Sequence, residues 1–217
     1  EERIYPQAAA LFGLGKVIGQ EYTNLYCRGI DIDCHTKMEE IVKELKYGKD
    51  VYQVAYRKGQ RFIEELHELD EGKIGDLNIQ IHQDGIYIIT GGMGGIGLEF
   101  SRYLAGNGPV KLALFNRTQF PPREKWDAII ARQENFKVIN KILAIQEIEA
   151  KGSEVFIYSL DVTDYDAVNK ILCELRDKYG KISGIIHSAG IIKDALIKNK
   201  DEAQFKNILG VKMEGTW

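Results

Sequence analysis

The sequence predicts an α/β protein whose larger part is a doubly wound parallel sheet, and two observations predict it. From residue 86 onward, short apolar runs alternate with stretches patterned as helices, and such alternation implies right-handed βαβ crossovers on a parallel sheet. The first run, Ile86-Tyr87-Ile88-Ile89-Thr90, is continuously apolar, as a strand buried on both faces must be, and it opens into a glycine-rich turn followed by a helix. The architecture expected is Rossmann-like.

The elements follow in order. Ala8 to Gln20 can form a helix interrupted by Gly13 and Gly15, and Tyr26 to Asp33 has the apolar clustering of a strand. Met38, Ile41, Val42 and Leu45 fall on one helical face, and Gly48 ends that helix. Val51, Val54 and Ala55 begin the next strand, and Arg57-Lys58-Gly59-Gln60 reads as a tight turn into Arg61 to Leu66. Gly72 to Gly85 is polar and glycine-punctuated, which makes it the connection between a partial first subdomain, residues 1–84, and a second, residues 85–217. After the first strand of that second part come helix 96–106, strand 110–115, helix 134–151, strand 154–159, helix 164–179 and strand 182–187. Between Arg117 and Glu134 a longer connection with Pro121-Pro122 is expected as a surface excursion.

Composition narrows the function. The 217 residues are 44% apolar and 28% charged, with 22 glycines and 4 prolines, the profile of an α/β protein with a proper core. A net charge of -3 gives no long-range attraction for nucleic acid or an anionic membrane, so neither is expected as a partner. Cys27, Cys34 and Cys173 contain no C-x-x-C pair, and His35 beside Cys34 finds no evident fourth ligand, so reduced thiols and no metal site are expected. No apolar run is long enough to span a membrane, and Glu-Glu-Arg at the start is unlike a signal peptide, so a cytoplasmic protein is expected. The absence of an initiating methionine suggests a piece of something longer.

The residues that carry chemistry cluster at strand ends. Thr90-Gly91-Gly92-Met93-Gly94-Gly95-Ile96-Gly97 sits between strand and helix as a dinucleotide fingerprint must. Its glycines let the backbone approach a pyrophosphate, and the helix N-terminus offers unpaired N–H groups and positive dipole. The next strand ends at Asn116-Arg117, where a protein preferring NAD shows an acid; Arg117, twenty positions after Gly97, instead suits the 2′-phosphate of NADPH. Its alternative is a solvated surface arginine. Asp161-Val162 stands where an acid and neighbouring backbone can bind the adenine edge, with Thr163 or Asp164 as the helix cap. After His187, which by itself more often fills a core than moves protons, the small residues Ser188-Ala189-Gly190 let the backbone approach the ribose and nicotinamide.

Together, Thr90-Gly91-x3-Gly95-x-Gly97, Asp161-Val162, Ser188-Ala189-Gly190 and the closing Val211-Lys212-Met213-Glu214-Gly215-Thr216-Trp217 resemble the ketoreductase domain of modular polyketide synthases, of the short-chain dehydrogenase type. Upstream, Gly15 to Tyr22, Cys27 to Asp33 and Ala55-Tyr56-Arg57 resemble that family's structural subdomain, a degenerate Rossmann-like unit that has lost cofactor binding. The Pro-Pro connection and Ile192-Lys193-Asp194 resemble synthases served by free-standing acyltransferases.

The resemblance implies NADPH-dependent reduction of a β-ketoacyl chain, held by phosphopantetheine on an acyl carrier protein, among neighbouring synthase domains. It implies that a tyrosine protonates the ketone oxygen, a serine holds it, and Lys212 lowers the tyrosine's pKa and orients the ribose, with an asparagine completing the set. Asp194 matches the last residue of the Leu-Asp-Asp-like motif of ketoreductases giving the D-hydroxy product, while Ile192 and Lys193 depart from its first two positions. Tyr158, Tyr165 and Tyr179 precede the fourth strand and match no such role; the serine and tyrosine are expected beyond Trp217, in a larger polypeptide of which this chain is a portion. A noncatalytic nucleotide-binding module of a synthase, or a short-chain reductase acting on a free ketone, are the alternatives.

Overall fold

The computed structural model describes residues 5–48, 51–68 and 80–216. Packing divides the chain into two units, Glu1–Leu77 with Lys193–Phe205, and Asn78–Ile192 with Lys206–Trp217.

In the first unit, proline starts α1 (Pro6–Glu21), its missing N–H costing nothing in a first turn. The helix runs unbroken through Gly13 and Gly15, contrary to the interruption expected. Gly15 serves as a close approach: a side chain there would strike the Tyr52 hydroxyl, which donates to the Phe12 carbonyl. The strand expected over Tyr26 to Asp33 shortens to β1 (Gly29–Ile32); α2 (Met38–Tyr47), β2 (Gln53–Arg57) and β3 (Gln60–Ile63) follow. Strand β1 pairs parallel with β2 across the α2 crossover, and β2 and β3 form an antiparallel hairpin. Its turn, Lys58-Gly59, has φ of 51° and 75°, the doubly left-handed geometry that matches strand twist. Gly59→Ala is therefore expected to cost about 1 kcal/mol through backbone strain alone, since open space surrounds that position. Urea denaturation measures it, and an unchanged midpoint would contradict it.

The apolar face expected of α2 is a correction. Met38 and Leu45 are 68% and 65% exposed, and Val42 is exposed too; the residue taken inside is Glu44, 3% exposed. Arg61 Nε and Nη2 donate to its carboxylate at 2.6 and 2.9 Å, Arg28 Nη1 at 3.1 Å and the Tyr56 hydroxyl at 2.9 Å. Burying a carboxylate is tolerable only when its oxygens are satisfied in this way. Periodicity counts apolar side chains on one helix and is blind to partners arriving from other elements.

The second unit contains β4 (Ile86–Thr90), α3 (Gly95–Gly106), β5 (Lys111–Asn116), α4 (Trp126–Arg132), α5 (Phe136–Ala150), β6 (Glu154–Ser159), α6 (Tyr165–Tyr179) and β7 (Ile182–His187). Helix α7 (Glu202–Met213) brings its last turns to the same unit. The four strands are all parallel in the order β6-β5-β4-β7. Strand β4 is buried at every position, and its alternate side chains feed both faces. Ile89 joins Leu112, Leu114, Ile142, Ile145 and Ile148 on one face, while Ile86 and Ile88 join Ala113, Phe115 and Leu175 on the other. Because successive strands proceed from β4 to β5 and β6, and the chain then returns to β7 on the other side of β4, the switch point lies between the carboxyl ends of β4 and β7.

The expected surface excursion after Arg117 does run mostly over the surface, but it carries a short helix and pins itself into the core by one residue. Its prolines lead into a 3₁₀ turn, Arg123–Lys125, and then α4, whose Trp126 is 4% exposed within the core. The indole Nε1 donates to the Pro121 carbonyl at 2.9 Å, Phe120 meets the ring edge-on, and Arg123 lies 4.8 Å over it. Gln133 in the left-handed region ends α4 and Asn135 caps α5, so the helix expected over 134–151 is α5, and α4 is an additional helix inside the connection before it. A seven-residue helix shows too few periods to announce itself. Of the connection expected over Gly72 to Gly85, residues 72–79 lie outside the described residues, as does Trp217 of the closing motif.

Candidate functional site

At the switch point the chain leaves β4 through Gly91, whose φ of +64° is left-handed. A Cβ on Gly91 would stand 2.8 Å from the Ser188 carbonyl oxygen, and one on Gly97 would stand 2.5 Å from the Gly91 oxygen and 2.7 Å from the Gly92 Cα. Those neighbours are backbone, so no rotamer change relieves them; glycine is required for the helix to start this close to the strands. A Cβ on Gly95, by contrast, meets nothing within 4 Å. The Gly94 N–H bonds Gly91 O at 2.8 Å, and Leu98 N–H returns to Gly94 O at 3.0 Å. Between them the amides of Gly95, Ile96 and Gly97 have no carbonyl a turn earlier in the helix, which leaves donors and positive dipole at the start of α3. Met93 contributes only backbone to any ligand, for its side chain is buried in the core; Ile96 is exposed.

Thr90 and Ser188 are spent on joining β4 to β7. Ser188 donates to the Thr90 carbonyl through both its N–H, at 3.1 Å, and its hydroxyl, at 2.6 Å. The Thr90 hydroxyl accepts from Ala189 N–H at 3.2 Å and lies 2.8 Å from His187 Nδ1. These bonds hold the Ser188-Ala189-Gly190 backbone against the glycine turn.

Beside the turn opens a cleft of about 180 Å³. Gly91, Asn116, Arg117, Asp161, Ala189 and Gly190 line it together with apolar walls from Phe115, Leu160, Val162 and Val211. The volume is below the ~300–1,000 Å³ of a complete small-molecule pocket, and suits one ring of an extended ligand lying along the strand ends. Arg117 is exposed, and the Asn116 amide donates to the Thr118 carbonyl, shaping the loop that presents it. Asp161 accepts from Thr163 N–H at 3.0 Å and from its hydroxyl at 2.8 Å; these bonds, and then the Arg117 charge, hold its carboxyl below the usual range. The cap of α6 is Asp164, which accepts from Ala167 N–H at 3.1 Å, so Asp161 is not the cap.

Lys212 is exposed on α7, and its Nζ would lie 3.3 Å from a Cβ on Gly190, which puts the ammonium close over that glycine at the strand end. Burial, and then the Lys212 charge, push the His187 imidazole below its ordinary value and keep it neutral. This coupling is what the sequence reading missed; the only signal for it is the pairing of His187 with Thr90 across β7 and β4. Asp194 is exposed and belongs to Lys193–Phe205 of the first unit. That unit also holds a concavity of about 1660 Å³ beside β1, lined by none of the expected site residues. No group of three or more His, Cys, Asp and Glu among the described residues could hold a metal ion, and no helix there is long and apolar enough to cross a membrane.

Comparison with known proteins adds a second line of argument. The sequence model of the KR domain matches residues 85–217. Polyketide synthase PksL of Bacillus subtilis (strain 168) is 31% identical over 99% of this chain and 5% of its own length. Polyketide synthase PksN of the same organism is 30% identical over 95% of this chain and 4% of its own length. The chain thus spans about a twentieth of these relatives. Among solved structures, a ketoreductase domain from the bacillaene assembly line superposes with a TM-score of 0.75 at 26% identity, covering 96% of this chain and 46% of that one.

Proposed function

The chain belongs to the KR domain family found in polyketide synthases, and on that premise we propose that it binds NADPH and serves the reduction of a β-ketoacyl thioester to the β-hydroxyacyl product. The substrate is carried by phosphopantetheine on an acyl carrier protein, and the chain acts as a portion of a longer cytoplasmic synthase polypeptide, with residues 85–217 as the catalytic part and 1–84 as the structural one. The observation that carries the reading is the glycine turn between β4 and α3, where a backbone too crowded for any Cβ at Gly91 or Gly97 presents free amides.

NADPH, when bound, supplies the hydride. The amides of Gly95, Ile96 and Gly97 bind the pyrophosphate, and Arg117 holds the 2′-phosphate through charge-assisted bonds. Asp161 and Val162 border the adenine, and the Ser188-Ala189-Gly190 backbone borders the ribose and nicotinamide. Lys212 orients the ribose and stabilises the negative charge that grows on the ketone oxygen, where a cation is worth most in a site cleared of water. Asp194 directs the substrate's approach toward the D-hydroxy product.

Arg117→Ala is expected to weaken NADPH binding by roughly ten- to thirtyfold, the worth of one exposed charge-assisted contact, while NADH binding stays unchanged. Titration of both nucleotides by calorimetry separates the two. Equal losses, or a parent protein indifferent to the 2′-phosphate, would remove Arg117 from its role. Oxidation of NADPH by the complete polypeptide on a carrier-bound β-ketothioester, against the same ketone free in solution, tests the substrate; preference for the free ketone would overturn it.

A further inference from the structure

The segment that carries Asp194 is tied to the first unit at Ile197. Residues Lys193–Phe205 belong to that unit, although β7 before them and the last turns of α7 after them belong to the second. From Ile192 to Asn199 every residue is exposed except Ile197, which opens a single 3₁₀ turn, Ile197–Asn199. Asn199 N–H donates to the Leu196 carbonyl at 2.8 Å and Lys200 N–H to the Ile197 carbonyl at 3.1 Å, so the turn is knit within itself. The Ile197 N–H is left over by the turn, and it donates to Glu21 Oε2 at 2.8 Å, across 176 positions of sequence.

Glu21 is placed for this contact rather than for its own helix. It is the last residue of α1, where a carboxylate meets the negative end of the helix dipole, and no basic side chain stands in that last turn to offset it. Leu196, which precedes the 3₁₀ turn, brings no side-chain cap, so the first amide of the turn depends on an acceptor from elsewhere. Glu21 is half-buried and α1 packs on the turn, so the bond forms partly out of water, where a charged acceptor counts for more. A local misfit resolved by a distant partner marks a residue whose role is tertiary.

We infer that Glu21 is a positioning residue of the ketoreductase: through the Ile197 amide it fixes the segment that carries Asp194, and so sets which face of the ketone is presented for reduction. The inference rests on the reading of Asp194 as the residue that directs the substrate. Glu21 takes no part in the transfer itself and acts through the backbone between Ile197 and Asp194. The first unit, which holds none of the expected cofactor residues, thereby gains a part in selecting the product besides supporting the fold.

In the complete polypeptide, Glu21→Ala is expected to lower the ratio of D- to L-hydroxy product by roughly tenfold and to speed hydrogen exchange at the Ile197 amide, followed by mass spectrometry, by a similar factor, while NADPH affinity changes less than about twofold. Glu21→Gln keeps a carbonyl oxygen that accepts, and is expected to recover most of both losses. Ile197→Pro removes the donor and leaves Glu21 in place. The extended backbone of Leu196, with ψ of 148°, already suits the residue before a proline, and the first position of the turn tolerates one. This variant is expected to shift the product ratio as Glu21→Ala does, and it decides the matter should the alanine variant fail to fold. Exchange at Ile197 unchanged in Glu21→Ala, a product ratio that neither Glu21→Ala nor Ile197→Pro moves, or a glutamine variant no better than the alanine one overturns the inference. A wild type that reduces no carrier-bound ketone sinks the proposed function and the inference with it. One that reduces the ketone with a product ratio indifferent to Asp194→Ala sinks the Asp194 reading and the inference, and leaves the proposed reduction standing.

Discussion

Gly97→Ala is expected to abolish NADPH binding, with affinity falling roughly a thousandfold or more, about 4 kcal/mol. The added carbon would sit 2.5 Å from the Gly91 oxygen and 2.7 Å from the Gly92 Cα. Neither neighbour can swing aside, so α3 has to back away from the turn, and its first amides leave the line along which they would meet a pyrophosphate. Forcing that movement on a packed layer also costs stability, about 1–3 kcal/mol. Gly95→Ala supplies the comparison. Its Cβ meets nothing within 4 Å, so folding is expected to be unchanged, while the methyl group stands where the phosphates approach. Affinity is then expected to fall by about tenfold with no change in the urea midpoint. If Gly95→Ala binds NADPH as tightly as the wild type, the phosphates do not lie at this turn; if Gly97→Ala binds normally, the crowding is not the reason for the glycine.

Replacing Glu44 by alanine is expected to destabilise the first unit by about 3 kcal/mol, since it strips a buried carboxylate from two arginines and a tyrosine that were organised around it. Arg61 and Arg28 are partly exposed and can turn to solvent, which keeps the loss at the lower end for a broken buried pair. The same carboxylate makes stability depend on acid. The Arg61 hydrogen bonds, then those of Tyr56 and the charge of Arg28, lower its pKa from 4.5 to about 2. A group whose pKa is depressed by folding stabilises the protein fully above its unfolded value, and that contribution fades as pH falls from about 4.5 toward about 2. Glu44→Gln keeps the shape and loses the charge, so the difference in unfolding free energy between wild type and variant should shrink across that interval. Asp33, Asp161 and Glu147 also hold depressed carboxyls, which is why the difference and not the wild-type curve alone is the measurement. A difference that does not vary with pH would show that the Glu44 charge is not what the arginines hold.

Much of the second unit was legible in the chain. The runs at 86–90, 154–159 and 182–187 are the strands β4, β6 and β7 to the residue; β4, buried at every position, is apolar without pause as a parallel strand covered on both faces has to be, while β6 and β7 are only partly buried. The crossover order and the glycine turn followed from the same local evidence. Trp126 was not legible, since a short helix between prolines and a left-handed glutamine shows no period, and its burial depends on Phe120, Arg123 and the Pro121 carbonyl arriving around one indole. Glu44 was read past for the opposite reason: its helix had a clear apolar face, and the charge beside it looked like solvent decoration.

The sequence by itself determined most strands and helices of the second unit, the glycine-rich turn between Thr90 and Gly97, and which family's motifs the chain carries, because those properties are written in neighbouring residues through sterics and hydrophobic period. Only the tertiary structure decided that Glu44 rather than Leu45 goes inside, that Thr90 and Ser188 clamp strands instead of reaching outward, and that His187 buries an Nε2 with no partner among the described residues. A buried polar group is set by whichever partners folding brings within about 3 Å of it, and those partners lie tens of residues away in the chain.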